Sequence, residues 1–141
     1  MKIETQQGFT IIELIMVIII IGVIAVTAVP KFTSMGNVSV MGAAQMIQAD
    51  IRYTQELAMA EHTETGKRIE FTSGADSYTT VDLEIRDLPS GVTIDNDFTV
   101  TFNSLGEPTA GGGDSVIILA GGETGTIKVT KYTGKVKVSI N

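Results

Sequence analysis

Residues 9–29 form one long run of apolar positions, in which Glu13 is the only charged residue. About 21 residues at ~1.5 Å of rise make a helix of about 31 Å, close to the hydrocarbon thickness of a bilayer. The run therefore predicts a membrane-spanning helix. The alternative is a secretory signal peptide, with Lys2 as its positive end and residues 26–28 as its cleavage site. Such a peptide usually has an apolar core of only ~7–15 residues and does not need an internal carboxylate.

Beyond this run, the apolar positions follow a helical period. Pro30, and more weakly Gly22, should break the helix, because proline removes a backbone hydrogen bond and clashes with the preceding turn. The two halves together predict a helix of about 50 residues that ends near residues 62–66, where Gly66 suits a C-terminal cap. The second half should pack one face against a partner, since its apolar positions recur every three or four residues: Val40, Ala44, Ile47, Ile51, Thr54 and Ala58.

After Gly66 the period changes from helical to alternating. Short stretches rich in β-branched residues are separated by turns that contain Gly, Pro, Asn and Asp, which predicts antiparallel strands. Strands this short need a packing partner. The pattern predicts an α+β protein in which the second half of a long N-terminal helix packs against an antiparallel sheet. The predicted strands are 68–72, 78–85, 92–94, 98–102, 116–119, 126–130 and 135–140.

Composition limits the chemistry of this domain. The chain has 16 acidic and 10 basic residues and a net charge of −6, which argues against general binding to nucleic acid or anionic lipid. It has no cysteine, so no disulfide or cysteine–metal site supports the fold. His62 is its single histidine and is expected at the surface near a helix end, so no Ser-His-Asp triad can form. We therefore expect no enzymatic activity and no cofactor.

Two polar segments were considered as ligand sites. Asp95, Asn96, Asp97 and Asp114 could contribute to a calcium site, but their spacing is not that of an EF-hand, and a solvated turn is the simpler interpretation. Residues 111–114 resemble no phosphate loop, because no Lys-Ser/Thr pair follows the glycines. We therefore expect no metal site.

The start of the apolar run resembles a known family. Residues 8–14 read Gly-Phe-Thr-Ile-Ile-Glu-Leu, after a short polar leader, and Pro30 is the twenty-second position counted from Phe9. These features are similar to those of type IV pilins and type II secretion pseudopilins. The resemblance implies that a prepilin peptidase cuts between Gly8 and Phe9 and methylates the new amine of Phe9.

This cut would give Glu13 a partner. A carboxylate at the bilayer centre costs roughly 2.5–3.5 kcal/mol on insertion scales, and less near an end. The Phe9 amine lies four residues before Glu13, so it shares a helix face with Glu13 or can meet Glu13 of another subunit. The resemblance implies the second arrangement, in which Glu13 of an incoming subunit neutralises the Phe9 amine of the preceding one. The alternative is that Glu13 is solvated at the headgroup interface.

Later segments are similar to those of GspH/FimT-like pseudopilins, namely helical residues 49–58 and the turns at 102–106 and 133–136. The resemblance implies a structural, minor pseudopilin of a type II secretion pseudopilus. Its expected parts are a class III leader at 1–8, a transmembrane and assembly half-helix at 9–30, an amphipathic half-helix at 31–65 and a β domain at 66–141.

The location and partners of the protein follow from this interpretation. Lys2 and the initiating amine favour a cytoplasmic N-terminus under the positive-inside rule. The chain is then a single-pass inner-membrane protein with its C-terminal domain in the periplasm, until it enters a filament. Its expected partners are other pilin or pseudopilin subunits, the prepilin peptidase, the inner-membrane assembly platform and the membrane. An anchored binding domain that never polymerises is a further alternative.

Lysines at the C-terminus favour a second function. Lys128, Lys131, Lys135 and Lys137 cluster in the last predicted hairpin although the whole protein is acidic. In DNA-uptake pilins of the FimT type, to which the chain is similar, a C-terminal Gly-Arg-x-Arg is associated with DNA contact, and residues 134–137 read Gly-Lys-Val-Lys here. Lysine neutralises phosphates but lacks the planar fork of arginine. A minor type IV pilin that binds DNA is therefore the alternative function, against lysines that merely protect a sheet edge.

Overall fold

The computed structural model describes the backbone of residues 9–32, 35–62 and 65–141, and within these ranges the side chains of all but residues 25–32 and 35–38. It confirms the α+β class, because two helices are followed by a domain of short antiparallel strands. The chain divides into two compact units, Met1–Ser34 and Met35–Asn141. The domain boundaries expected from the sequence stay predictions.

The first helix, α1, extends over Ile11–Phe32. It runs through both Gly22 and Pro30, so neither residue ends it in this structure, and the predicted weak points stay predictions. The second helix, α2, extends over Met35–Glu61. Residues 33 and 34, which separate the helices, lie outside the described residues, and the single long helix therefore stays a prediction.

Helix α2 places its apolar face in the core. The six positions predicted to form that face, from Val40 to Ala58, are all buried, which confirms the interpretation of the helical period. The helix ends at Glu61, and exposed His62 follows it with a left-handed φ of 49°. The C-terminal cap conformation therefore lies at His62 and not at Gly66, which precedes the first strand.

The described part of the β domain contains nine strands in two sheets. The first sheet has the order β3-β2-β1-β5-β6 and the second the order β4-β7-β8-β9, with antiparallel pairs throughout. The strands are β1 (Lys67–Phe71), β2 (Ser77–Thr79), β3 (Ile85–Asp87), β4 (Thr93–Ile94), β5 (Phe98–Phe102), β6 (Pro108–Ala110), β7 (Ser115–Ala120), β8 (Glu123–Val129) and β9 (Val136–Ile140).

Two details of the predicted strands were wrong. The stretch 78–85 is not one strand, because a turn in which the Thr80 amide donates to Glu84 O at 2.8 Å separates β2 from β3. No strand was predicted between 102 and 116, but Pro108 begins β6 at the edge of the first sheet, where a missing amide hydrogen is tolerated. The alternating pattern also gave no sign that the strands divide into two sheets.

The core lies where α2 meets both sheets. The helix packs on β1 and β5 of the first sheet and on β7, β8 and β9 of the second. Phe102, Ile47 and Ile51 are among its largest fully buried side chains. In the second sheet, Gly125 lets the helix approach closely, since a methyl group there would lie 2.7 Å from Val40 Cγ1 and 2.9 Å from Ile118 Cγ1.

Candidate functional site

The first turn of α1 presents Glu13 at the surface. The Glu13 amide donates to Thr10 O at 3.1 Å and to Thr10 Oγ1 at 3.4 Å, so Thr10 caps the helix. The carboxylate lies where a negative charge is favoured by the helix dipole. Phe9 and Glu13 are both exposed, whereas Gly8 lies outside the described residues. The roles assigned to Gly8, Phe9 and Glu13 stay predictions.

The described side chains of α1, residues 11–24, form an apolar surface. All of them are exposed, including a long series of Ile, Leu, Met and Val side chains. A contiguous exposed apolar surface of this kind marks contact with a membrane or another protein. Among the residues with described side chains, the structure contains no helix long and apolar enough to cross a membrane.

The four lysines of the predicted basic hairpin are all exposed in the second sheet and its last turn. Lys128 in β8 and Lys137 in β9 are directly opposite each other in the antiparallel register, which places both on the solvent face. Lys135 directly precedes β9, and Lys131 lies in the turn with its Nζ 5.6 Å from the centre of the Tyr132 ring. The structure therefore brings two of the lysines into a cross-strand pair.

Sequence reasoning missed a buried polar cluster on the other side of α2. Asp50 is an acidic residue outside the six apolar positions of α2, which favours a place at the surface, but its side chain is only 13% exposed. The Tyr78 hydroxyl donates to Asp50 Oδ2 at 2.5 Å, and Arg86 donates to Asp50 Oδ1 at 2.6 Å. These contacts join α2 to β2 and β3. The partners are 28 and 36 residues from Asp50, so no local pattern could have revealed them.

The pKa values of Tyr78 and Arg86 are both raised. Burial raises the pKa of Tyr78 above its usual value, and the hydrogen bond to Asp50 raises it further. The hydrogen bond to Asp50 likewise raises the pKa of Arg86. Tyr78 is therefore neutral and Arg86 charged throughout the physiological range. The Tyr78 hydroxyl and the Arg86 guanidinium therefore hold structure and exchange no proton near pH 7.

A groove opens beside this cluster, between α2 and the β2–β3 turn. Its volume is about 430 Å³, and its lining is mostly polar or acidic. The lining residues are Asp50, Tyr53, Thr54, Thr80, Val81, Asp82, Glu84, Ile85, Arg86 and Asp87. In the part of the chain that the structure describes, no group of His, Cys, Asp and Glu residues could hold a metal ion.

The residues considered for calcium serve as structural polar contacts. The Asn96 side chain donates to Ser115 O at 3.0 Å and accepts from the Ile117 amide at 2.8 Å, which fixes the β4–β5 loop to β7. Asp97 Oδ1 accepts from the Ser73 amide at 2.8 Å. Asn96 and Asp97 therefore hold this loop in place, and the interpretation of the four residues as a solvated turn stays a prediction.

Comparison with known proteins identifies the N-terminal segment. Residues 5–29 match the family described as the prokaryotic N-terminal methylation motif. The chain carries a type IV pilin-like prepilin signal. This pilin-like match includes Gly8, Phe9 and Glu13, the positions singled out from the sequence, and it does not extend to the β domain. No curated protein and no solved structure matches the chain.

Proposed function

We propose that the protein is a structural, minor pseudopilin of a type II secretion pseudopilus, of the GspH/FimT-like kind. The observation that supports this most is the pilin-like signal at residues 5–29, which coincides with a helix whose described apolar side chains are all exposed. The acidic net charge of −6 favours a secretion filament over a role in binding nucleic acid. Its partners would be other pseudopilins, the prepilin peptidase and the inner-membrane assembly platform.

Processing would prepare the subunit for assembly. Cleavage after Gly8 leaves a positive amine on Phe9, and methylation retains that charge. Thr10 caps α1 so that Glu13 lies one helical turn from this amine. Because Glu13 is exposed in the subunit, its carboxylate is available to the Phe9 amine of a neighbour. Within an apolar filament core, neither charge is stable without the other.

Replacing Glu13 by Val tests this assembly contact. The variant leaves the Phe9 amine of the neighbouring subunit unpaired in an apolar environment, so its incorporation into filaments should fall at least about tenfold. Glu56→Val is the matched control, because Glu56 is also exposed on a helix but lies outside the signal. Mass spectrometry of purified filaments would report cleavage after Gly8, methylation and the partner subunits together.

Normal incorporation of Glu13→Val would contradict the pairing. Full function of variants at both Gly8 and Glu13 would instead indicate an anchored binding domain that does not polymerise. The neighbouring subunits found by mass spectrometry would distinguish a secretion pseudopilus from a type IV pilus.

A minor type IV pilin that binds DNA is the second candidate. The register of β8 and β9 favours it, because Lys128 and Lys137 are directly opposite on the exposed face. Two phosphate contacts would contribute about two units to the slope of log affinity against log salt concentration. Charge reversal at both lysines should remove that contribution, while the control Arg52→Glu, at an exposed position on α2, should retain it. Absence of binding to duplex DNA at low salt would exclude this function.

A further inference from the structure

The groove between α2 and the β2–β3 turn has an acidic rim without cations of its own. Asp82, Glu84 and Asp87 are exposed and form no ion pair in the part of the chain that the structure describes. The guanidinium of Arg86 is already paired with Asp50 at 2.6 Å. The groove therefore presents an uncompensated negative charge to any partner that enters it.

Apolar side chains are exposed on the same rim, at Tyr53 and Ile85, and Leu83 is exposed in the β2–β3 turn beside it. Leu83 and Ile85 are each 75% exposed, and Tyr53 contributes half of its surface from α2. Leu83 also has a left-handed φ of 63°, which is rare for a bulky side chain. Strained backbone of this kind is concentrated at functional sites. Strand β3 is an edge strand whose three residues are exposed, so its outer backbone groups are open to a partner.

The turn between β8 and β9 is the chemical complement of this groove. It exposes 75% of Tyr132, with Lys131 Nζ 5.6 Å from the centre of that ring, and Lys135 is exposed three residues further along the turn. The turn is rigid, because the Thr130 amide donates to Lys135 O at 2.9 Å and the Gly134 amide donates to Thr130 O at 3.0 Å. An exposed aromatic side chain with two lysines in the same turn suits an acidic groove with an apolar rim.

The groove and the turn lie on different flanks of α2. Gln48 donates to Val136 O at 3.2 Å and Gln55 donates to Thr133 O at 3.0 Å, so this flank faces the β8–β9 turn. Asp50, which faces the groove, lies about 140–160° around the helix from both glutamines at ~100° per residue. A subunit therefore cannot fill its own groove with its own turn.

We propose that the groove binds the β8–β9 turn of a second copy of this chain, with Tyr132 against the apolar rim and Lys131 and Lys135 against the acidic one. This inference rests on the proposed role as a filament subunit. Because the two surfaces differ and lie on different flanks, the contact is head-to-tail and can repeat without closing.

Disulfide cross-linking tests the contact, because the chain has no native cysteine. A full chain that carries both Asp87→Cys and Lys135→Cys, overproduced as the only pilin-like subunit so that its copies adjoin, should give a ladder of dimers, trimers and longer species. The control chain carries Asp95→Cys together with Lys135→Cys and retains Asp87. Asp95 is an exposed acid on another loop, so this chain should give no ladder. A product that stops at dimers would contradict the head-to-tail arrangement.

Substitution of the partners gives an independent test. Tyr132→Ala, placed in the cross-linking chain, should lower the cross-linked fraction about tenfold, because a central aromatic side chain is the kind of residue that dominates an interface. In a chain without added cysteines, Asp87→Lys and Lys135→Glu should each weaken self-association, and the two together should restore it. Failure of the double reversal to restore association would overturn the charge pairing.

The isolated unit Met35–Asn141 separates this inference from the proposed function. The unit contains every buried core residue among those that the structure describes, so it is expected to fold without the rest of the chain. A salt-sensitive ladder from the isolated unit would support the contact even if the full chain formed no filaments. The absence of filaments would then count against the proposed function but not against the contact. If the wild type formed filaments but neither the full chain nor the isolated unit with the two cysteines gave a ladder, the proposed contact would be overturned.

Discussion

Removing the Asp50 carboxylate should destabilise the β domain by about 2 kcal/mol. Tyr78 is only 3% exposed, so Asp50→Ala leaves a buried hydroxyl without its acceptor, which costs about 1–3 kcal/mol. The ion pair adds little, about 0–1 kcal/mol, because the Arg86 side chain is half exposed. Alanine returns up to about 0.7 kcal/mol of helix propensity. The lost hydrogen bond therefore dominates the expected change.

A double-mutant cycle separates this bond from general damage. Tyr78→Phe alone should lower the free energy of unfolding by about 1 kcal/mol. The double variant with Asp50→Ala should lose about 1 kcal/mol less than the sum of the two single losses, because removing both partners leaves no unpaired hydroxyl. Urea unfolding of Met35–Asn141, followed by circular dichroism, measures all four free energies. In the same unit, a loss of about 2 kcal/mol lowers the melting temperature by roughly 8–16 °C.

The control for this cycle is Asp82→Ala. Asp82 is an exposed acid that forms no ion pair among the described residues, so its removal should change the free energy of unfolding by less than about 0.5 kcal/mol. Additive effects of Asp50→Ala and Tyr78→Phe would refute the reasoning, as would an effect of Asp50→Ala no larger than that of the control.

Two further predictions concern the same unit. Because its pKa is raised in the folded state, Tyr78 stabilises the fold fully below the unfolded tyrosine pKa of ~10, and this stabilisation is lost as the pH rises above that value. The free energy of unfolding should therefore differ less between pH 8 and pH 10.5 for Tyr78→Phe than for the wild type. Gly125→Ala should lower the free energy of unfolding by about 1–3 kcal/mol, because its methyl group would clash with Val40 and Ile118. Gly42→Ala has open space around it in α2 and should raise the free energy of unfolding by about 0.4–1 kcal/mol. Thermal unfolding that ranks these two variants in the opposite order would contradict the packing argument.

Local pattern was sufficient for several elements. The six apolar positions from Val40 to Ala58 follow a helical period, and all of them are buried in the structure. Alternation in 98–102 likewise predicted β5, which the structure places at Phe98–Phe102. Such patterns are reliable because they record which side of a single element faces the core, and that choice depends on neighbours within one or two turns.

Strand assignment failed where the pattern and the turns conflicted. The β-branched and apolar residues in 78–85 favour one continuous strand, but the backbone turns back through Leu83 in a left-handed conformation. The resulting β3 strand is paired by β2 along one edge only and is exposed. Local propensity cannot distinguish this from a longer strand, since pairing with a neighbour decides where a short strand ends.

The sequence alone determined the N-terminal signal, the α+β class and the apolar face of α2, because each is written in consecutive or regularly spaced residues. The tertiary structure decided the division into two sheets, the Asp50–Tyr78–Arg86 cluster and the positions of the acidic groove and basic turn on different flanks of α2. The side-chain contacts that define the cluster and the flank facing the basic turn join residues that are 28 to 88 positions apart. Their partners are selected by the packing of the whole domain, which no local pattern encodes.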